Sequence, residues 1–425
     1  MATGRISSFQ LNNFWQHGRQ HWQDYLWLIA FVVLPFASYL SLGILIILSL
    51  VTWSQARGRL SGWLWRRGYG WLALGLLVSA AIASYPGDAF LQTANFLPYF
   101  LMLGALITRY GPDSVTDRLS QLTTLALALV LTSLPFSLLA LLEYGIKFPA
   151  LAARVSDWWI FQWAFEVSFT GHRAHATLGH PNILSAYLVI VVSLGLGLMG
   201  AMLSQAKPRP RLFGWVAIAT LAGLVGIFCT GSRNGLLVAI FQVLVFSRYL
   251  QHRRWIQLAG IGLVTLFVLG AIGLGVGGRH LAIDLITQDP RLGVWQIALR
   301  LTRERPVFGW GLGSFSHLYV PDSVPGHEHI HHAHNLWLYL ASEAGIPVML
   351  GFCWVVARAL YRAVRAALEP ALATEHRALL LSYLLAFGSC MLFGFFDVPL
   401  FDARINVLGW LLLASLYLLP PKVRF

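Results

Sequence analysis

The sequence predicts an all-α protein that crosses a membrane many times. Its 425 residues are 57% hydrophobic and only 11% charged, whereas soluble domains carry about 25% charged residues. Apolar stretches of roughly 15 to 25 residues recur along the whole length, and each approaches the length that a helix needs to cross a bilayer. These stretches leave no room for a soluble domain of ordinary size. Residues 1–425 are therefore expected to form a single polytopic transmembrane domain.

Twelve apolar segments are predicted to be transmembrane helices. They are 25–38, 41–55, 69–84, 92–109, 119–143, 181–204, 213–229, 233–248, 255–276, 346–366, 376–397 and 403–420. The first two are short, so a single helix bent at Pro35 is an alternative that would invert every later loop. Lys and Arg are retained on the cytoplasmic side of a membrane. Two helices and a cytoplasmic N-terminus place 20 of the 30 basic residues on that side, which favours the two-helix start.

The net charge of +13 does not indicate a nucleic-acid partner. The basic residues lie in short loops between apolar segments and form neither one amphipathic face nor a long tail. Membrane topology explains most of them.

Ten basic residues nevertheless fall on the outer side, mainly in segments 144–180 and 277–345. Arg233 lies in the turn Thr230-Gly-Ser-Arg-Asn-Gly235, between two apolar segments. One interpretation is an arginine that snorkels to the interface. The other is an arginine at membrane depth that binds an anion arriving through the lipid.

Segment 277–345 is the large outer loop, and it is predicted to contain an amphipathic helix from Pro290 to Arg303. Proline suits the first helical position, and Asp289 or Thr287 is a candidate cap.

Helical geometry places Arg291 and Trp295 on one face of this helix and Arg300 on the opposite face. Both arginines therefore cannot address one small ligand, and Arg291 is favoured for a site. The following Gly309, Gly311 and Gly313 predict a compact turn.

Histidines are concentrated late in the same loop. His327, His329 and His331 alternate, which in an extended chain places them on one side, as metal ligands can be. His334 is predicted to open a helix that ends at Gly345, and a neutral imidazole there can accept a proton from a hydroxyl group. Asp397 could come close to it, although a local salt bridge at a helix end is an equal interpretation.

Several motifs between residues 179 and 400 carry a resemblance to a known family. They are Gly179-His-Pro-Asn182, Gly231-Ser-Arg233-Asn-Gly, Arg291-Leu-Gly-Val-Trp295, Arg305-Pro-Val-Phe-Gly-Trp-Gly, His334-Asn335 and Glu343-Ala-Gly-Ile-Pro347. Together with the topology, they make the chain similar to the O-antigen ligase and O-antigen polymerase superfamily of bacterial membrane glycosyltransferases.

The resemblance implies a fold, a reaction and a site. The expected fold is about twelve helices with one large periplasmic loop containing short helices, as in glycosyltransferases of the GT-C type. The expected reaction transfers a glycan, with inversion, from an undecaprenyl-pyrophosphate-type carrier to a hydroxyl of lipid A core or another glycan. Arg233 and Arg291 would bind pyrophosphate, and His334 would be the general base. Supporting roles are expected for four further residues: Asn335, Asn182, Asp397 and Trp295.

The resemblance further implies partners, cofactors and location. The expected partners are a lipid-pyrophosphate-linked glycan donor, a glycan or lipid-linked acceptor, and membrane lipids, with no nucleic acid. Neither a cofactor nor a catalytic metal is expected. The expected location is a bacterial inner membrane with both termini cytoplasmic.

Two other functions stay open. Pro86-Gly-Asp-Ala and Ala94-Asn-Phe-Leu-Pro98 are similar to cyanobacterial members of the superfamily labelled as inorganic-carbon transporters, so a bicarbonate or anion transporter is one alternative. A metal-binding membrane protein that uses the histidines of residues 327–332 is the other. The sequence does not distinguish ligase from polymerase or name the glycan, the acceptor or the oligomeric state.

Overall fold

The structure, a computed structural model, describes residues 22–165, 171–205, 209–249, 254–273, 275 and 289–421. Within these ranges the protein is helical and contains no strand. This confirms the prediction of an all-α polytopic membrane protein. Both termini, and the part of the 277–345 loop before residue 289, lie outside the described residues.

We number the described α-helices in chain order. They are α1 Trp22–Val33, α2 Ser38–Arg67, α3 Tyr69–Ala81, α4 Pro86–Gln92, α5 Leu97–Tyr110, α6 Val115–Thr132, α7 Leu134–Ile146, α8 Pro149–Val155, α9 Gln162–Phe165, α10 Pro181–Leu203, α11 Pro210–Cys229, α12 Arg233–Tyr249, α13 Arg254–Gly273, α14 Pro290–Glu304, α15 Ser314–Leu318, α16 Leu336–Glu343, α17 Ile346–Ala367, α18 Thr374–Phe393 and α19 Ala403–Leu418. Short 3-10 turns lie at Thr93–Asn95, Trp159–Phe161 and Pro399–Phe401.

Seven described helical stretches are long and apolar enough to cross a membrane. They are Ser38–Arg67, Pro86–Tyr110, Val115–Ile146, Pro181–Leu203, Pro210–Cys229, Ile346–Ala367 and Thr374–Phe393. Shorter apolar helices occupy Trp22–Val33, Tyr69–Ala81, Gln257–Gly273 and Ala403–Leu418. Each of the twelve predicted segments overlaps a described helix, while the number that crosses the bilayer stays a prediction.

The first predicted segments form two helices and not one bent helix. α1 ends at Val33 and α2 begins at Ser38. The Ser41 hydroxyl donates a 2.5 Å hydrogen bond to the carbonyl of Ala30, which joins the two helices across the turn. The segments are therefore separate helices in contact, as the distribution of basic residues favoured.

α10 forms the centre of the bundle, and it is the most buried of the candidate spans. It packs mainly against α18 and α11. Two hydrogen bonds between buried side chains and neighbouring helices tie the bundle together: Ser193 donates to the carbonyl of Ser382, and Gln242 of α12 donates to the Ser389 hydroxyl. Such side chains link helices where the lipid offers no hydrogen-bond partner.

The segment after α14 folds tightly onto α16, as the three glycines predicted. Gly309, Gly311 and Gly313 all have positive φ angles. The buried Glu343 accepts hydrogen bonds from the backbone N–H groups of Gly313 and Phe315, at 2.6 and 2.8 Å. The Ser79 hydroxyl of α3 donates to the carbonyl of Phe308. The loop that carries the histidines is thus tied to the helix bundle.

Gly309→Ala tests this packing. Gly309 has a φ of 66°, and an added Cβ would lie 2.4 Å from the backbone of Glu343. We expect a loss of roughly 2 kcal/mol or more in unfolding free energy, seen as a lower midpoint of thermal unfolding in detergent. Gly87→Ala is the control, because no atom lies within 4 Å of its added Cβ. Equal midpoints for the two variants would contradict the packing.

Glu343 predicts a pH dependence of stability. Burial raises the pKa of Glu343 to about 8, although hydrogen bonds from Gly313 and Phe315 oppose the change. The folded state holds the proton of Glu343 more tightly than the unfolded chain does. The contribution of this proton to the free energy of unfolding is therefore fully present below the pKa of Glu343 in the unfolded chain. It is lost as the pH rises through the pKa of Glu343 in the folded protein. Between pH 6 and pH 9, the thermal midpoint should fall more in the wild type than in Glu343→Gln. Parallel pH curves would refute this role.

Candidate active site

The predicted site residues lie where several helices begin or end on one side of the bundle. α10 begins at Pro181, α12 begins at Arg233, and α18 ends at Phe393. Helix ends leave backbone groups without intrahelical partners. Here side chains and loop segments bind those groups, and the same side chains position the site.

His334 lies just before a helix and does not open it as predicted. The helix α16 begins at Leu336, and Asn335 is its N-cap, accepting hydrogen bonds from the N–H groups of Trp337 and Leu338. His334 itself has a φ of 48°, in the left-handed region that is unfavourable for a residue with a side chain. Such conformations persist where the surroundings impose them, often at functional sites.

Asn335 also fixes His334 relative to α18. Its side-chain Nδ2 donates to the carbonyl of Phe395, and the N–H of Leu336 donates to the carbonyl of Gly394. The histidine is thereby held against the segment that contains Asp397. The predicted supporting role of Asn335 has this physical basis, while its role in activity stays a prediction.

Asp397 faces His334 and is held by two other groups. Its Oδ1 lies 3.4 Å from Nδ1 of His334, an ion-pair distance that is long for a hydrogen bond. Its Oδ2 accepts a 3.0 Å hydrogen bond from Nδ2 of Asn182, and Oδ1 accepts one from the N–H of Val398. Burial would raise the pKa of Asp397, but His334, His332 and the Val398 N–H together hold it well below its usual range. Asp397 is therefore a carboxylate at neutral pH.

These groups line a cavity of about 310 Å³, which we call the histidine cavity. Its polar lining residues are His180, Asn182, His332, His334, Asp397 and Asp402, and Phe393 and Phe401 are among its apolar ones. Burial and the nearby His334 lower the pKa of His332 to about 4. His332 is consequently neutral at pH 7, and its Nδ1 accepts a 3.2 Å hydrogen bond from the N–H of His334.

Arg233 and Arg291 converge on one carboxylate. Nη2 of Arg233 lies 3.7 Å from Oδ2 of Asp289, and Nη1 of Arg291 lies 3.9 Å from the same atom. Asp289, one of the two candidate caps, is the N-cap of α14, and it accepts a hydrogen bond from the N–H of Arg291. All three side chains are partly exposed. Two guanidinium groups from separate helices thus share one anion position.

α14 confirms the helical phase predicted for its arginines. The helix spans Pro290–Glu304, and the side chain of Arg300 is exposed and lies 3.9 Å from Glu304. The ring of Trp295 approaches Phe396, with 6.3 Å between centroids. The buried Nε1 of Trp295 has no hydrogen-bond partner among the described residues. The contact between the rings of Trp295 and Phe396 links the helix of Arg291 to the segment of Asp397.

Arg173 connects the turn before Arg233 with the residues around Asp397. It was not among the predicted site residues. Its Nε donates a 2.9 Å hydrogen bond to the carbonyl of Thr230, which precedes Arg233. Its Nη2 donates a 2.7 Å hydrogen bond to Oδ1 of Asn182, which in turn donates to Asp397. The signal in the sequence was its position among the basic residues that oppose the topology bias. Only long-range contacts identify its partners.

A buried ion pair holds Arg173 in place. Glu143 and Lys147 are almost fully buried and lie 2.6 Å apart. Glu143 accepts hydrogen bonds from the N–H groups of His175 and Ala176, and Lys147 donates to the carbonyl of Arg173. The backbone around Arg173 is fixed by this pair.

The structure thus brings the predicted residues together in two neighbouring groups. His334, Asp397 and Asn182 line the histidine cavity, whereas Arg233 and Arg291 are not among its lining residues. Arg173 bridges the groups on one side, and the contact between Trp295 and Phe396 does so on another.

The metal-compatible residues share only His332 with the histidines of residues 327–332 that formed the metal-binding alternative. The sequence predicted no catalytic metal, but the alternation of His327, His329 and His331 left a metal site open as an alternative. In the described part of the chain, the group whose ligand atoms lie close together is instead His332, His334 and Asp397, within 4.8 Å of one another.

Comparison with known proteins gives a family match. Residues 218–353 match the model of a family described as O-antigen ligase, and no curated protein matches the chain. The matched segment contains Arg233, Arg291 and His334. It indicates glycan transfer at a membrane by an enzyme of the ligase or polymerase type. Over this segment, about a third of its length, the chain is similar to the O-antigen ligase family.

Proposed function

We propose that this protein transfers a glycan from an undecaprenyl-pyrophosphate-type lipid to an acceptor hydroxyl, on lipid A core or another glycan, at the periplasmic face of a bacterial inner membrane. One observation carries the proposal. Two guanidinium groups share an anion position, on the same side of the bundle as an imidazole that faces a carboxylate. The family match supports the same class of reaction.

Arg233 and Arg291 would bind the pyrophosphate of the donor. Guanidinium groups bind phosphate oxygens with paired, charge-assisted hydrogen bonds. The distances to Asp289 exceed hydrogen-bond length, and loosely paired, partly exposed charges contribute little to stability. Pyrophosphate can therefore replace Asp289 at modest cost. Its developing charge in the transition state is then offset by two fixed cations.

His334 would be the general base. With Nδ1–H directed at the Asp397 carboxylate, the lone pair of Nε2 is free to accept a proton. The acceptor oxygen loses its proton to Nε2 and forms a bond to the anomeric carbon, while the bond from that carbon to the pyrophosphate oxygen breaks. A single displacement of this kind inverts the configuration. Asp397 stabilises the imidazolium that forms.

The histidine cavity would receive the acceptor. A cavity of about 310 Å³ suits one sugar ring, and its mixture of carboxylates, imidazoles and phenyl rings is typical of sites that bind polar ligands with one apolar face. Arg173 would hold this cavity in a fixed position relative to Arg233 and Arg291.

Alanine variants of Arg233, Arg291 and His334 test the proposal. Each should lower transfer from a purified lipid-pyrophosphate-linked glycan by at least about 100-fold, because positioned bases and charge-stabilising groups typically contribute that much. The variants should remain folded in the membrane. Arg300→Ala is the matched control, because its side chain is exposed on the opposite face of α14, and it should retain transfer.

Full activity in the three variants would remove the assignment. Uptake of labelled bicarbonate by liposomes that contain only this protein, without glycan transfer, would favour the transporter alternative.

Arg173→Ala tests the bridge between the two groups. Loss of the bonds to Thr230 and Asn182 should lower transfer by roughly tenfold, a typical effect of removing a group that orients a site residue. Arg173 no longer holds Asn182, which donates a hydrogen bond to Asp397. The pH at which the rate is half-maximal should therefore also change. Arg173→Lys should recover part of the rate, and the exposed Arg154→Ala should behave as wild type. A lower rate with an unchanged pH profile would leave Arg173 without a positioning role.

A further inference from the structure

The histidine cavity contains a set of ligand atoms that suits a transition-metal ion. His332, His334 and Asp397 each offer one ligand atom, and the three atoms lie within 4.8 Å of one another. The rings of His332 and His334 are adjacent, with centroids 4.4 Å apart. The 3.4 Å between Nδ1 of His334 and Oδ1 of Asp397 is close to the roughly 3.4 Å that separates two ligands of a tetrahedral zinc ion.

The chemistry of the set favours zinc over magnesium or calcium. Imidazole nitrogen and carboxylate oxygen are both zinc ligands, whereas Mg²⁺ and Ca²⁺ require about six or more oxygen ligands. Asp402 also lines the cavity, but it is paired with Arg404 at 2.6 Å. Three protein ligands leave a fourth position for water, and the cavity provides the space for it.

Neighbouring groups would orient two of the ligands. Asn182 binds Oδ2 of Asp397 and leaves Oδ1 directed at His334. Groups that hold a ligating carboxylate typically strengthen a metal site. Nδ1 of His332 now accepts a 3.2 Å hydrogen bond from the N–H of His334, so coordination by this atom replaces one long hydrogen bond.

We propose that His332, His334 and Asp397 bind one zinc ion, and that the bound ion reversibly blocks transfer. The blocking step rests on the proposed function, whereas binding does not. A neutral imidazole carries one proton on its two nitrogens. Zinc on Nδ1 of His334 therefore requires the proton to reside on Nε2. That nitrogen then has no lone pair with which to accept the proton of an acceptor hydroxyl.

Zinc binding is measured directly on the full-length protein. The protein is purified in detergent through an affinity tag without histidines, stripped with EDTA and titrated with zinc in a calorimeter. We expect one ion per chain. His332→Ala and Asp397→Ala should each weaken binding by at least about tenfold, and His332→Gln provides a second variant if the first does not fold. His331→Ala and His329→Ala are matched controls, because both side chains are exposed and lie outside the ligand set.

Binding that survives His332→Ala, or that His331→Ala removes, would overturn the site.

Inhibition is scored as the rate with zinc divided by the rate without it, for each variant separately. Zinc should lower this ratio in the wild type and in His331→Ala, and EDTA should restore it, whereas His332→Ala should resist. Stoichiometric binding without inhibition would overturn the blocking step. Binding by a protein that shows no transfer at all would refute the proposed function and leave the metal site intact.

Discussion

The site depends on how the largely buried carboxylate of Asp397, whose side chain is 18% exposed, is satisfied at the end of an apolar helix bundle. A buried charge is tolerated only when it is paired and hydrogen-bonded. Asp397 meets this requirement with His334, Asn182 and the Val398 backbone. Because each partner comes from a different segment, one charge connects the loop with the histidines, the start of α10 and the end of α18.

The same constraint extends outward from Asp397. Asn182 can donate to Asp397 and accept from Arg173 because its side chain has both a donor and an acceptor. Arg173 then donates to the carbonyl of Thr230, three residues before Arg233. The backbone of Arg173 is in turn held by the buried pair of Glu143 and Lys147. A chain of polar contacts thus runs from His334 through Asp397, Asn182 and Arg173 to the turn that precedes Arg233.

The helices could be predicted because hydrophobic length is a local property of the sequence. The two-helix start followed from the distribution of basic residues, and the separation of Arg291 from Arg300 followed from helical periodicity. Pro181 and Asp289 were recognisable at the starts of α10 and α14 because helix starts have characteristic residues.

Contacts between distant residues could not be predicted. The convergence of Arg233 and Arg291 on Asp289 depends on how α12 and α14 pack, and no spacing in the sequence encodes it. The metal-binding alternative assumed an extended chain at His327 to His331. The left-handed backbone of His334 instead brings it beside His332. His334 was also expected to begin a helix, but the side chain of Asn335 caps that helix better.

The central claim is that Arg233 and Arg291 bind a single diphosphate while His334 faces the acceptor cavity. The most direct measurement is an experimental structure of the full-length protein bound to undecaprenyl pyrophosphate. We expect phosphate oxygens within hydrogen-bond distance of both guanidinium groups, with Asp289 displaced from its position between them. Diphosphate bound elsewhere in the protein, with Asp289 still between the two arginines, would contradict it.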